Sequence, residues 1–240
     1  MSIMEWQGEG VVLRVRPQGK GAYLLCLFSR EFGKLSGFVS GSQKLRHELQ
    51  LGNVLEFTHI RRLENQLGSF YVDLVHAPSA QKFNEEAYLY ILQYLGDLHE
   101  KLLAEHQPLP TLYDAFQNLL RFQGESRFLW QSLAVYEVSL LKALGYGLSL
   151  EDAYAVRGEE DQTPLVYVSP KSGRAVSKQM GAPFHDKMLR LPKLFGGESH
   201  EMLDLFKLTG HFLRVACDGE ELSSRRNLIR MAQELNFGEK

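Results

Sequence analysis

Five short apolar segments fill residues 8–76, and no long helical pattern separates them. The segments read GVVLRVRP, AYLLCLFS, LSGFVSG, VLEFTHIRRL and SFYVDLVHA. Runs of this length, bounded by glycine-containing turns, are typical of β-strands. Five such strands in about 70 residues predict a small closed barrel of OB type, and an SH3-like barrel is the alternative.

The first strand is expected to present its arginines on one face. Strict alternation predicts one face with Val11, Leu13 and Val15, and an opposite face with Val12, Arg14 and Arg16. In the fourth strand, Leu55 and Phe57 are expected on a shared side. The turn before the third strand contains Gly33, a residue that adopts positive φ without strain.

Beyond Pro78 the apolar residues recur with helical spacing. Helices are predicted to begin near Asn84, to cover about 111–123 and 126–145, and to resume at about 198–217 and from Ser223 to about 236. Residues 163–177 alternate again, which predicts a small β-hairpin that turns at 170–173.

The fold class expected from these patterns is α+β. An N-terminal OB-fold β-barrel that binds nucleic acid is predicted at residues 1–79. An α-helical domain follows at 80–240, with the hairpin as an insertion at 150–185.

Basic residues are concentrated near the N-terminus, although the whole chain has a net charge of -2. Residues 1–50 hold seven Lys/Arg and four Asp/Glu, a local charge of +3. The remaining 20 basic and 25 acidic residues give 51–240 a charge of -5. Because charges in water act over about 8 Å at physiological salt, the local excess matters more than the net charge. It favours a polyanionic ligand at the barrel.

The chain contains two cysteines, Cys26 and Cys217, and each lies within an apolar stretch. This pattern predicts buried free thiols in a reducing compartment. The sequence contains no run of about 18 apolar residues, so we expect no membrane span. The opening MSIMEWQGEG lacks the basic and apolar regions of a signal peptide. We therefore expect a cytoplasmic protein with no membrane partner.

Familiar catalytic motifs are missing from the sequence, including GxSxG, HExxH, CxxC and GxxxxGK[ST]. The eight histidines are scattered, and no two are four residues apart. Adjacent acids such as Glu85 and Glu86 are typical of helix starts. We expect no enzyme activity, no catalytic residue, no metal and no cofactor. A metal-dependent nuclease is disfavoured because no acid cluster supports it.

Cations and aromatic residues lie close together in the barrel segments. Phosphate contacts to DNA are expected from Arg14, Arg16, Lys20, Lys34, Lys44 and Arg46. Tyr23, Phe32 and Phe38 are candidates to stack on bases, which contributes about 1–3 kcal/mol per base. The sequence leaves open whether Phe32 and Phe38 stack on bases or pack in the core. A solvated basic face on an interaction domain is the alternative.

Three strings, in order along the chain, resemble the RecO family of bacterial recombination mediators. GVVLRVRPQGKGAYLLCLFSREFGKLSGFVSGSQK resembles the N-terminal segment of that family. YEVSLLKALGYGLSLEDA resembles its mid-chain helix, which ends in an L-L-x-x-L-G-Y-G pattern. LSSRRNLIRMAQEL resembles its C-terminal element.

The resemblance implies an OB-fold followed by an α-helical domain, in a cytoplasmic, nucleoid-associated protein without catalytic turnover. It implies binding to single- and double-stranded DNA, annealing of complementary strands and cooperation with RecR. It also implies contact with the acidic C-terminal tail of single-stranded-DNA-binding protein and, indirectly, loading of RecA. An adaptor that binds this tail with little direct DNA binding is the second hypothesis.

The sequence departs from the family pattern at three places. Many relatives carry a four-cysteine zinc site after LGYG, but AYAVRG and YVSPKSGRAVS stand here, so we expect no zinc and a hairpin held by packing alone. Ser40 replaces a basic residue that often precedes the glycine after the third strand, and Lys44 carries the displaced charge. Ala134 and Val135 stand where relatives have arginines, so tail binding would fall to Arg121, Arg127 or Lys142.

Overall fold

The structure is a computed structural model of the 240-residue chain, and it describes residues 4–19, 21–41, 43–63, 66–82, 85–151, 155–158 and 160–234. The chain forms two compact units, Met1–Phe122 and Gln123–Lys240. The boundary expected after residue 79 lies within the first unit, because the helices Glu86–Leu102 and Pro110–Leu120 belong to that unit together with the barrel.

Five strands of the first unit close into a barrel in the order β1-β2-β3-β5-β4. The strands are β1 (Met4–Pro17), β2 (Ala22–Ser29), β3 (Gly33–Ser40), β4 (Val54–Arg61) and β5 (Gly68–His76). Strands β3 and β5 pair in parallel, and the other neighbours are antiparallel. The predicted OB-fold is confirmed, and Leu55 and Phe57 both point into its core as expected.

Strict alternation along β1 is wrong, because the register with β2 shifts between Val12 and Arg14. Such a β-bulge adds one residue to a strand and reverses the side-chain pattern beyond it. Val12 and Val15 therefore both pack in the barrel core, although they were expected on opposite faces. Arg14 and Arg16 remain on the outer face.

A short helix, α1 (Gln43–Glu48), connects β3 to β4, and the sequence pattern did not predict it. Helices α2 (Pro78–Gln81), α3 (Glu86–Leu102) and α4 (Pro110–Leu120) follow the barrel. Asn84, the expected start of α3, lies outside the described residues.

Helix α3 packs closely on β1. A Cβ atom on Gly96 would lie 2.7 Å from the carbonyl oxygen of Leu13, so only glycine allows this approach. Buried Ile91, Leu95 and Leu98 line the same helix. Apolar packing therefore holds α3 against the barrel.

The second unit contains helices α5 (Ser126–Ala143), α6 (Lys178–Gly181), α7 (Met202–Ala216) and α8 (Ser223–Glu234). The predicted hairpin is formed by β6 (Leu165–Val168) and β7 (Ala175–Ser177). The sequence pattern missed a third strand, β8 (Leu189–Arg190), which pairs with β6 and has only two residues to signal it.

Hydrogen bonds support the hairpin, so the expectation of packing alone is wrong. The Asp161 carboxylate accepts hydrogen bonds from the backbone of Thr163 (2.8 Å), from the Thr163 hydroxyl (2.6 Å) and from the Ser177 hydroxyl. These hydrogen bonds lower the pKa of Asp161. The bond from Ser177 has the largest effect, and those from Thr163 add to it. A polar node thus links β7 to the segment before β6.

Cys26 and Cys217 are both free and buried, which confirms the prediction of buried thiols. Within the described ranges, no helix combines the length and apolar character needed to cross a membrane.

Candidate nucleic-acid interface

The outer face of β1, β2 and β3 gathers three of the predicted cations. Strand register places Arg14, Cys26 and Ser36 in one row, and Arg16, Leu24 and Phe38 in the next. Lys34 shares the Ser36 side of β3, because residues two apart on a strand face the same way. The structure therefore brings Arg14, Arg16 and Lys34 together, and their binding to DNA stays a prediction.

A cavity of about 120 Å³ opens on this face. Its lining, which we refer to as the barrel groove, consists of Arg14, Arg16, Leu24, Cys26, Lys34, Ser36, Glu100 and Glu105. The first six residues belong to the barrel, Glu100 belongs to α3, and Glu105 follows that helix.

Carboxylates pair with the arginines of the barrel groove. Glu100 bridges both, with Oε2 at 2.6 Å from Arg14 Nε and Oε1 at 2.5 Å from Arg16 Nη2. Arg14 also pairs with Asp97, one turn earlier on α3. The arginine side chains remain 31% and 51% exposed, so solvent and solutes reach them.

Lys34 is the most enclosed cation of the barrel groove, with a side chain only 11% exposed. Its Nζ donates to the backbone oxygen of Glu100 at 3.3 Å and lies 3.8 Å from Glu105 Oε1. Ser36 donates to the same Glu105 oxygen at 2.8 Å. The ammonium is thus held at the base of the groove.

The thiol of Cys26 lies in the barrel groove, but burial raises its pKa to about 12. A thiol with this pKa stays protonated at neutral pH, and the thiolate is the nucleophilic form. Cys26 is therefore unsuited to covalent chemistry. Among the described residues, no group of three or more His, Cys, Asp or Glu side chains is arranged to hold a metal ion.

The three aromatic candidates differ in environment. Phe38 is 40% exposed and stands on the outer face in the same row as Arg16, with Leu24 between them. Phe32 and Tyr23 pack against the barrel core, and the Phe32 ring meets Phe57 edge-on at 6.3 Å. Of the three, only Phe38 is placed to meet a base on the outer face.

The other predicted DNA contacts do not line the barrel groove. Arg46 lies exposed in the last turn of α1. The backbone of Lys44 belongs to α1, and its side chain is outside what the structure describes. Lys20 lies outside the described residues.

The sequence pattern also missed a cation beside an aromatic cluster. The Arg61 guanidinium lies 5.1 Å from the centre of the Trp6 ring and within 2.9 Å of His106 Nε2. Burial has the largest effect on the pKa of His106 and lowers it, and the nearby charge of Arg61 lowers it further. The neutral ring therefore accepts this hydrogen bond. Neither Arg61 nor His106 belongs to a local motif that could have revealed the cluster.

The three cations expected to bind a partner tail are divided between the two units. Arg121 caps the C-terminus of α4 in the first unit. Arg127 and Lys142 lie at opposite ends of α5, about 22 Å apart along a helix that rises 1.5 Å per residue. A single peptide carboxylate therefore cannot contact both.

Arg127 borders a cavity of about 210 Å³ in the second unit. Basic groups of Lys193 and His200 share this lining with apolar Pro192 and Leu194. Glu201 adds one carboxylate. The cavity combines cations with apolar side chains, a mixture that suits an acidic peptide ending in apolar residues.

Two family models match the chain: "Recombination protein O N terminal" over residues 1–77 and "Recombination protein O C terminal" over residues 87–226. Curated proteins named DNA repair protein RecO are similar over most of their length. The relative from Methylorubrum populi is 36% identical over 223 residues, which cover 88% of this chain and 89% of that protein. The relative from Rhodospirillum centenum is 36% identical over 217 residues, or 88% and 86% of the two chains.

These matches extend over both units, and they agree with the OB-fold barrel and the helices that follow it. The chain belongs to the RecO family of DNA repair proteins.

Proposed function

We propose that this protein binds single- and double-stranded DNA through the barrel groove and anneals complementary strands. With RecR, it would help load RecA on DNA coated by single-stranded-DNA-binding protein. The observation that carries the proposal is the convergence of Arg14, Arg16 and Lys34 on one outer face beside exposed Phe38.

Cations on such a face act on the DNA backbone. When they contact phosphates, condensed counterions are released, which drives binding and makes it depend on salt. A cationic surface that holds two strands also reduces the repulsion between them, which favours annealing. These steps require no bond making or breaking, so we propose a mediator without catalytic turnover that works with cytoplasmic, nucleoid DNA.

The proposal is tested by the annealing of complementary oligonucleotides, and fluorescence quenching monitors the reaction. The double variant Arg14→Ala/Arg16→Ala should anneal more slowly, and by a similar factor for strands of different sequence, because phosphate contacts carry no sequence information. Annealing rates equal to those of the wild type would remove the barrel groove from the mechanism.

A second activity is supported by the cavity beside Arg127. We propose that it receives the acidic C-terminal tail of single-stranded-DNA-binding protein, with Arg127 and Lys193 near the carboxylates and Leu194 against apolar side chains. This binding would recruit the protein to coated DNA, and it is the adaptor function expected as the alternative.

A fluorescent tail peptide tests this second activity in the absence of DNA. Arg127→Ala should weaken peptide binding several-fold, whereas Lys142→Ala, at the other end of α5, should leave it unchanged. The opposite ranking of the two variants would place the peptide elsewhere.

A further inference from the structure

The carboxylates of Asp97 and Glu100 occupy the positions where DNA phosphates would meet the arginines of the barrel groove. Both oxygens of Glu100 are used, one on each arginine, in the way that a phosphate would bridge them. We propose that Asp97 and Glu100 compete with DNA for Arg14 and Arg16, and thereby set the affinity of the site. This inference rests on the proposed DNA binding.

The attachment of α3 to the barrel does not depend on these ion pairs. Gly96 brings the helix against the Leu13 carbonyl, and the buried face of α3 supplies apolar packing. Ion pairs with partly exposed members contribute little to stability, roughly 0–1 kcal/mol. The carboxylates are therefore positioned by a helix that is held in place by other contacts.

The pairs are also accessible to a competing anion. Side-chain exposure is 31% for Arg14, 51% for Arg16 and 35% for Glu100, so neither partner is sealed from solvent. A strand that enters the barrel groove can exchange a phosphate for the carboxylate by side-chain rotation, with the backbone of α3 unmoved. Lys34, only 11% exposed, is less suited to this exchange.

Competition has a functional consequence. A strand with several phosphates in reach replaces the carboxylates, whereas a single small anion gains too little to do so. The barrel groove would then hold long polyanions and release them readily, which suits a protein that must hand strands on.

The test is single-strand binding by fluorescence anisotropy with Glu100→Gln, which keeps the shape of the side chain and removes its charge. The variant should bind DNA more tightly at low salt, by up to about fivefold, which is the upper end of what one exposed ion pair contributes. Asp97→Asn should give a smaller gain in affinity, because Asp97 contacts only Arg14 of the two arginines. Circular dichroism and thermal unfolding check that both variants fold.

Glu56→Gln is the matched control. Glu56 is exposed on the barrel strand β4, and its substitution removes the same charge outside the barrel groove. A double-mutant cycle then separates competition from a general change in charge. In the Arg14→Ala/Arg16→Ala background, the gain in DNA affinity from Glu100→Gln should fall to that of the control. The reason is that Glu100 no longer has an arginine for which it competes with DNA.

The outcomes separate the inference from the proposed function. If the wild type binds DNA but Glu100→Gln gains no more than Glu56→Gln, competition is refuted and DNA binding stands. A gain that persists without the arginines refutes competition as well. If neither the wild type nor Glu100→Gln binds DNA, the proposed function fails and the inference with it.

Discussion

Glu137 and Arg225 form a buried ion pair that joins two segments 88 residues apart, with Oε2 and Nη2 separated by 3.2 Å. Glu137 belongs to α5 and Arg225 to α8, and their side chains are 0% and 6% exposed. Thr209 also donates a hydrogen bond to Glu137, and Arg225 donates to the Phe206 carbonyl at 3.1 Å. The mid-chain and C-terminal strings that resemble the family thus meet in the core of the second unit.

Arg225→Met should destabilise the second unit by roughly 3–5 kcal/mol, because it removes the Arg225 guanidinium from the buried Glu137 carboxylate. Urea unfolding measures the loss. Arg226→Met, at the exposed neighbouring position, is the control and should change stability by less than about 0.5 kcal/mol. Equal effects of the two variants would contradict a structural role for the buried pair.

Gly33 stands where the turn before β3 touches the segment after α3. Its φ is +71°, and a Cβ atom would lie 2.1 Å from the Gln107 carbonyl oxygen. Gly33→Ala should therefore lower the free energy of unfolding by roughly 2 kcal/mol or more, as measured in urea. Gly19→Ala, also at positive φ but with no atom within 4 Å, isolates the backbone strain, which is about 1–2 kcal/mol. An equal loss in both variants would exclude the clash.

Burial lowers the pKa of His99 to about 3, so the folded protein keeps this ring neutral. The unfolded chain takes up a proton near pH 6.5, and stability therefore falls as the pH drops below that value. For His99 alone the loss is about 2 kcal/mol between pH 7.5 and 5. His99→Phe should reduce this acid sensitivity, as followed by urea unfolding at several pH values. An unchanged pH dependence would show that His99 does not control it.

Phe38 and Phe32 are expected to respond in opposite ways. Phe38→Ala should weaken single-strand binding by roughly fivefold or more with little loss of stability, since stacking contributes about 1–3 kcal/mol per base. Phe32→Ala should instead destabilise the barrel by roughly 2 kcal/mol or more, because its ring packs against the core. Anisotropy and urea unfolding of both variants are the measurements. A stability loss for Phe38→Ala as large as that for Phe32→Ala would contradict its outward role.

Local pattern predicted the strands, the helices and the grouping of Arg14, Arg16 and Lys34, because side-chain period and register follow from sequence near each residue. It missed α1, which is only six residues long, and the bulge in β1. It also missed Asp97 and Glu100, which lie more than 80 residues beyond the arginines that they contact. Such contacts depend on tertiary packing of α3 on the barrel, and no spacing in the sequence records them.

The central claim is that DNA phosphates bind the outer face of the barrel, and it is tested most directly by the salt dependence of single-strand affinity. The logarithm of the affinity should fall linearly with the logarithm of salt concentration, with a slope of about -0.7 for each phosphate contact. Arg14→Ala/Arg16→Ala should reduce the steepness of that slope by about 1.4, as two contacts are lost. A wild-type affinity that does not change with salt, or a slope that the double variant leaves intact, would contradict the account.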